Sequence, residues 1–223
     1  MQSAEDADAE TTPASRLAAF ERGGGAVTEI LALFDSLPPV SVEALRGRWR
    51  GSGLPSGHPM DGLLERFGWH GKEFNGPEDV QPLLCKARGG KVFGLNPAFV
   101  PMGLVSRHVG LFHNRFAEAA FALSARAART TRPAARLRMV EFRGVVTATM
   151  IYDRLPIQDV FRAAARDVLL GVMDLRGMAQ PFFFVLRRES GWSPRPAWGC
   201  VGVSAAVYAN AGLDPGWPAE KVC

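Results

Sequence analysis

The stretch that decides the fold runs from residue 137 to 188: LRMVEFRGVVTATMIYDRLPIQDVFRAAARDVLLGVMDLRGMAQPFFFVLRR. It divides into five strand-like runs rich in β-branched and aromatic residues, Leu137 to Arg143, Val145 to Tyr152, Gln158 to Ala163, Val168 to Asp174 and Phe182 to Arg188. Between them stand Gly144, Asp153 to Pro156, Arg166-Asp167 and Gly177, turn residues in short connections. Connections of about two to five residues join antiparallel neighbours, whereas a parallel pair needs a crossover of roughly a dozen residues or more. The segment therefore predicts a meander. Its apolar side, Val146, Ala148, Met150 and Tyr152 in the second run, needs a core to face. Several short strands bury such a side best by closing into a barrel, which also removes the exposed edges. The predicted fold class is mainly β, a small antiparallel β-barrel with a few appended helices.

Working towards the N-terminus, Leu45, Gly47 and Trp49 alternate with Arg46, Arg48 and Arg50, the period of a half-buried strand with Trp49 pointing inward. Asp61 is placed as an N-cap for a short helix over Gly62 to Phe67, and Gly68 as its stop. Brief strands follow at Trp69 to Phe74, Val80 to Cys85 and Lys91 to Leu95. The glycines of Gly51-Ser-Gly53-Leu-Pro-Ser-Gly57 raise the question of a phosphate-cradling loop. A helix of six or seven residues is too short for the parallel crossover that such a loop serves, so dinucleotide binding is set aside.

Gly47-Arg48-Trp49-Arg50-Gly51, Gly57-His58-Pro59-Met60-Asp61-Gly62 and Gly68-Trp69-His70-Gly71-Lys72 occur in that order, and the region resembles the GXWXG family. The second conserved module of that family, a domain of unknown function, is matched by Val145 to Asp153, Leu155-Pro156-Ile157, Asp159, Phe161-Arg162, Met173-Asp174 and Phe182 to Phe184. The resemblance covers roughly residues 42 to 189. It departs at Ala163-Ala164-Ala165-Arg166-Asp167, where the family carries an acidic run, and it ends before the tail. It implies a shared fold and brings no assigned chemistry. A Gly-x-Trp on a first strand is also similar to lipocalin (calycin) barrels, in which a tryptophan plugs one end and the other opens onto a ligand cavity.

The flanking segments complete the division of the chain. Residues 1–25 are acidic at the start and end in three glycines, a composition expected to form a disordered leader. Residues 26–103 form the first module, opening with a helix from Val27 to Leu37 that Pro38-Pro39 stops. Residues 104–136 read as a basic amphipathic helix, with Val105, Val109, Phe112, Phe116, Ala120 and Leu123 at helical spacing. Residues 137–189 form the second module, and residues 190–223 a tail in which Val201 to Ala211 is the one candidate helix. The net charge is +4, yet between residues 104 and 143 eight Arg face two Glu, so the basicity is local. A local basic face of this kind is more often a solvated helix face; the alternative is peripheral contact with an anionic membrane through residues 104–132, and no nucleic-acid partner is expected. Three scattered cysteines, Cys85, Cys200 and Cys223, read as reduced thiols of a cytoplasmic protein.

The four histidines have neither the mutual spacing nor the cysteine partners of a metal site, and none is expected. The leading expectation is a binding protein that holds a small hydrophobic ligand, such as a fatty acyl compound, inside the barrel. Trp49, Trp69, His70, Met150, Tyr152, Met173 and Phe183 are its candidate lining. The polar set Tyr152, Asp153, Asp159, Arg162 and Asp174 supports an alternative, an enzyme on a small organic substrate. There Tyr152 and Asp153 would handle protons and Arg162 would clamp an anion. A haem-binding barrel with His70 as the axial ligand is a third reading; otherwise no cofactor is indicated.

Overall fold

The computed structural model describes residues 12–193, apart from 88, 104–107, 113 and 114. Ten strands form one antiparallel sheet: β1 (Gly47–Gly53), β2 (Trp69–Gly76), β3 (Asp79–Lys86), β4 (Val92–Leu95), β5 (Arg129–Thr130), β6 (Ala135–Phe142), β7 (Val145–Tyr152), β8 (Ile157–Ala165), β9 (Val168–Leu175) and β10 (Phe182–Arg188). Eight of them close into a barrel in the order β1, β10, β9, β8, β7, β6, β3, β2 and back to β1. The short strands β4 and β5 extend from β3 outside that ring. The five late strands fall within two residues of their predicted bounds, and the short turns do impose antiparallel pairing.

Alternation sends one side of each strand inward and the other onto helices. The inner set includes Trp49, Phe74, Leu137, Ala148, Met150, Phe161, Leu169, Phe184 and Leu186. The outer set, Val160, Leu170, Val172, Phe183 and Val185, is covered by Leu17 of α1 (Pro13–Gly23) and by Ile30, Leu33 and Phe34 of α2 (Val27–Ser36). Helix α1 stands where a disordered leader is expected over residues 1–25. Thr12 caps its Ser15 amide, Pro13 starts it, and Leu17 is fully buried. An acidic, glycine-closed average hides this segment because its single apolar face meets a partner only on the barrel wall.

Strands β7 and β8 pair only from Thr149 to Ile151, and the chain after α2 fills the gap where they diverge. Val40 accepts from the Ala148 amide and donates to Thr147 Oγ1, while Pro38 accepts from the Ala163 amide. Pro38-Pro39 therefore stops a helix and also supplies a wedge of extended backbone.

The short α3 (Leu63–Arg66) is capped by Gly62 in the left-handed region, not by Asp61. Asp61 instead accepts from the amides of Ser56 and His58, folding the loop before the helix. Among its described residues the basic segment has a 3₁₀ turn at Val109–Phe112 and a helix, α4 (Arg115–Ala127), where a continuous helix from Leu104 is expected. The predicted helix at Val201 to Ala211 lies outside the described residues.

Candidate functional site

Antiparallel order gives the barrel two chemically different ends. At the end where β1 begins and β10 finishes, Trp49 is fully buried, and its indole Nε1 donates to the Leu45 carbonyl at 2.6 Å. The Arg188 guanidinium stacks over the Trp49 ring at 4.1 Å and donates to the carbonyls of Arg46 and Ala44. Gly47 leaves the space that the Arg188 head group occupies, since a Cβ there would press on Nη1. Gly51 leaves space for the Trp69 ring, which a Cβ would overlap. The motif glycines thus admit one large side chain to the plug and another to the opposite end.

That opposite end, where β7 and β9 finish and β8 and β10 begin, holds a cavity of about 400 Å³. Trp69, Tyr152, Ile157, Met173, Phe182 and Phe184 of the barrel form its inner wall. Met60 just before α3, Leu63 of α3, Phe99 to Met102, Phe112, and Ala117, Ala120 and Phe121 of α4 form its outer wall. Almost all of this surface is apolar. Apart from Ser124 of α4, the exceptions are concentrated at one point, where Lys72 Nζ lies 2.7 Å from Asp159 Oδ2 and donates to the Pro82 carbonyl at 3.2 Å. The two side chains are 3% and 2% exposed, so this ion pair is withdrawn from water. The Lys72 ammonium also stands near the rings of Phe184, Trp69 and Tyr152, at 5.0, 5.6 and 5.7 Å.

Burial pushes the Asp159 carboxyl above the usual carboxylate range, opposed by the charge and hydrogen bond of Lys72. Burial, then the neighbouring Asp159 charge, pushes the Tyr152 hydroxyl well above its ordinary value, so it stays protonated. The Tyr152 hydroxyl is directed at the same carboxylate and helps to hold it down, but among the described residues no donor meets Asp159 Oδ1 in hydrogen-bond geometry. Cys85 also lines the cavity, but burial raises its thiol to about 12, which leaves it without thiolate character at neutral pH.

The GXWXG protein family matches residues 32–90, and the Domain of unknown function (DUF4334) matches residues 133–188. A crystal structure of a protein from Thermomonospora curvata is 30% identical, with a TM-score of 0.59, over 79% of this chain and 98% of that one. This chain belongs to the GXWXG family. No curated protein matches it. In this GXWXG protein the two matched modules are the two arcs of one barrel: β1 to β3 come from the first and β6 to β10 from the second.

Of the lining predicted from the sequence, the cavity brings together Trp69, Tyr152 and Met173. Trp49 is the plug at the far end, and Met150 is fully buried in the barrel core without reaching the cavity wall. Phe183 points outward beneath the helices, because Phe182 and Phe184 take the inward positions of β10. His70 turns away from the cavity, with Nε2 2.8 Å from Glu189 Oε1, so it is not placed to ligate a haem inside the barrel. Asp153 lies in the turn after β7 and pairs with Arg136 at 2.6 Å, and Arg162 lies under α2. There Arg162 donates to the Leu37 carbonyl at 3.1 Å and faces the Phe34 ring, so its charge holds the end of a helix. Neither Asp153 nor Arg162 reaches the cavity, so of the predicted polar set it holds Tyr152 and Asp159.

Lys72 is the residue that alternation misses in the GXWXG protein. Trp69 and Lys72 are three apart, and strict period two would place them on opposite faces. A β-bulge across Trp69–Gly71–Glu73 adds the extra residue that turns both inward. Its signal in the sequence is Gly71, with φ +149°, where a Cβ would overlap the Trp49 carbonyl oxygen. Among the described residues no group of three His, Cys, Asp or Glu could hold a metal ion, and no helix is long and apolar enough to cross a membrane.

Proposed function

We propose that this protein binds a small apolar or amphipathic molecule in the cavity at the open end of the barrel. One observation carries the reading: an apolar space of about 400 Å³ surrounds a single buried polar point, Lys72–Asp159, at the end opposite the Trp49 plug. Ligand sites typically pair an apolar wall with a few placed polar groups in a volume of about 300–1,000 Å³. If each ligand atom takes the ~30 Å³ of one liquid water, the guest has about a dozen non-hydrogen atoms. The plugged end, with its Gly-x-Trp and stacked arginine, supports the same lipocalin-like division between closed and open ends. Native mass spectrometry and solvent extraction of the purified protein test the proposal. A bound small molecule is expected in the wild type and is lost when Met173→Trp fills the cavity. Repeated recovery of no ligand, with no uptake of a hydrophobic dye, refutes it.

The rim of the same cavity supports contact with an anionic bilayer. On the segments that supply the outer wall, Phe99, Leu111, Phe116 and Leu123 are between 61% and 74% exposed, and Arg129 and Arg132, next along the chain, are exposed. Such a surface places aromatic and aliphatic groups among lipids and arginines at the headgroups. Co-sedimentation with phosphatidylserine vesicles should fall on adding salt and in the double variant Phe116→Ser, Leu123→Ser. Binding unaffected by either would remove this route.

A further inference from the structure

We infer that the ligand presents a neutral hydroxyl head to the Lys72–Asp159 pair, and not a carboxylate. The inference rests on the proposed binding reading and narrows its ligand class. Lys72 is already neutralised: its ammonium is 2.7 Å from Asp159 Oδ2 and gives a second hydrogen bond to the Pro82 carbonyl. An anionic head would therefore meet no net positive charge, only a buried carboxylate it repels and a lysine it would have to take from that carboxylate. Asp159 lines the cavity, and its buried Oδ1 meets no donor among the described residues, so it accepts and needs one.

A ligand hydroxyl fills that need. It donates to Asp159 Oδ1 beside the Tyr152 hydroxyl, which also lines the cavity and stays protonated. An ammonium head would also donate to Asp159, but it would stand beside the Lys72 charge that already neutralises that carboxylate. The balance of charge thus selects a neutral donor over both ions, and the apolar wall selects a hydrocarbon body. A medium-chain or compact cyclic alcohol has this chemistry; a free fatty acid does not.

The test compares 1-decanol, decanoate and decylammonium as displacers of Nile red from the wild-type protein near neutral pH, with native mass spectrometry to confirm occupancy. Decanol is expected to displace the dye at a concentration at least tenfold lower than either ion. In Asp159→Asn the lysine loses its partner, so decanoate is expected to gain at least tenfold and to overtake decanol. Decanoate or decylammonium binding the wild type as tightly as decanol would overturn the inference while leaving the binding reading intact. Displacement by none of the three, from a protein whose circular dichroism is native, would overturn the binding reading itself. The ranking in the wild type decides the matter even if the variant does not fold.

Discussion

Replacing Lys72 by Met leaves Asp159 in the barrel wall without its cation, and both side chains are almost fully buried. Removing one partner of a buried ion pair costs about 3–5 kcal/mol, because the remaining charge keeps its desolvation penalty and loses its compensation. For a chain of this size about 1 kcal/mol corresponds to ~2–4 °C, so the melting temperature should fall by roughly 6–20 °C. The double variant Lys72→Met, Asp159→Leu has no ion to desolvate and should return to within about 1 kcal/mol of the wild type, or exceed it. Urea unfolding of the wild type, both single variants and the double variant closes a thermodynamic cycle with a coupling of about 3 kcal/mol or more. The pH dependence has a definite sign. In the fold Asp159 already titrates above its ordinary value through burial, and Lys72 is the largest influence pulling it down, so Lys72→Met raises it further. A carboxyl that holds its proton more tightly in the fold contributes stability fully below its unfolded pKa, and that contribution is lost as pH rises through the folded pKa. Lys72→Met should therefore be less destabilised at pH 4 than at pH 8. A cost below about 1 kcal/mol, or the same cost at both pH values, would show that water reaches the pair and that the desolvation argument is wrong.

Two further substitutions test the placement of the other residues. Gly71→Ala puts a Cβ onto the Trp49 carbonyl oxygen at φ +149°, so strain and overpacking should together cost about 3 kcal/mol or more; an unfolding midpoint near the wild type would mean that the bulge is not required. Arg162→Met removes the hydrogen bond to Leu37 from the outer layer and should leave dye and ligand affinity within about twofold, because its side chain packs beneath α2; lost affinity measured by titration would restore the anion-clamp role.

Most of the barrel is determined by the sequence alone, because the information is local. Turns at Gly144, Asp153 to Pro156, Arg166-Asp167 and Gly177 are too short for anything but antiparallel neighbours, and period two within each run sets its inward side. The same local logic brings Trp69, Tyr152 and Met173 to the interior and Trp49 to a buried position. What local patterns do not contain is which end of the cylinder an inward residue occupies, or what covers its outward side. Three successive phenylalanines in β10 are equally apolar, and only the ring of pairings sends Phe182 and Phe184 to the cavity and Phe183 beneath the helices. Arg162 looks available in sequence, yet it is buried because α2, more than a hundred residues earlier, lies across it. The site itself depends on tertiary structure most of all. Lys72 and Asp159 are 87 residues apart, and a one-residue bulge at Gly71 reverses the face of β2 so that the ammonium meets the carboxylate. Period-two reading assumes an unbroken strand, and the buried Lys72–Asp159 pair of this barrel forms where that assumption fails.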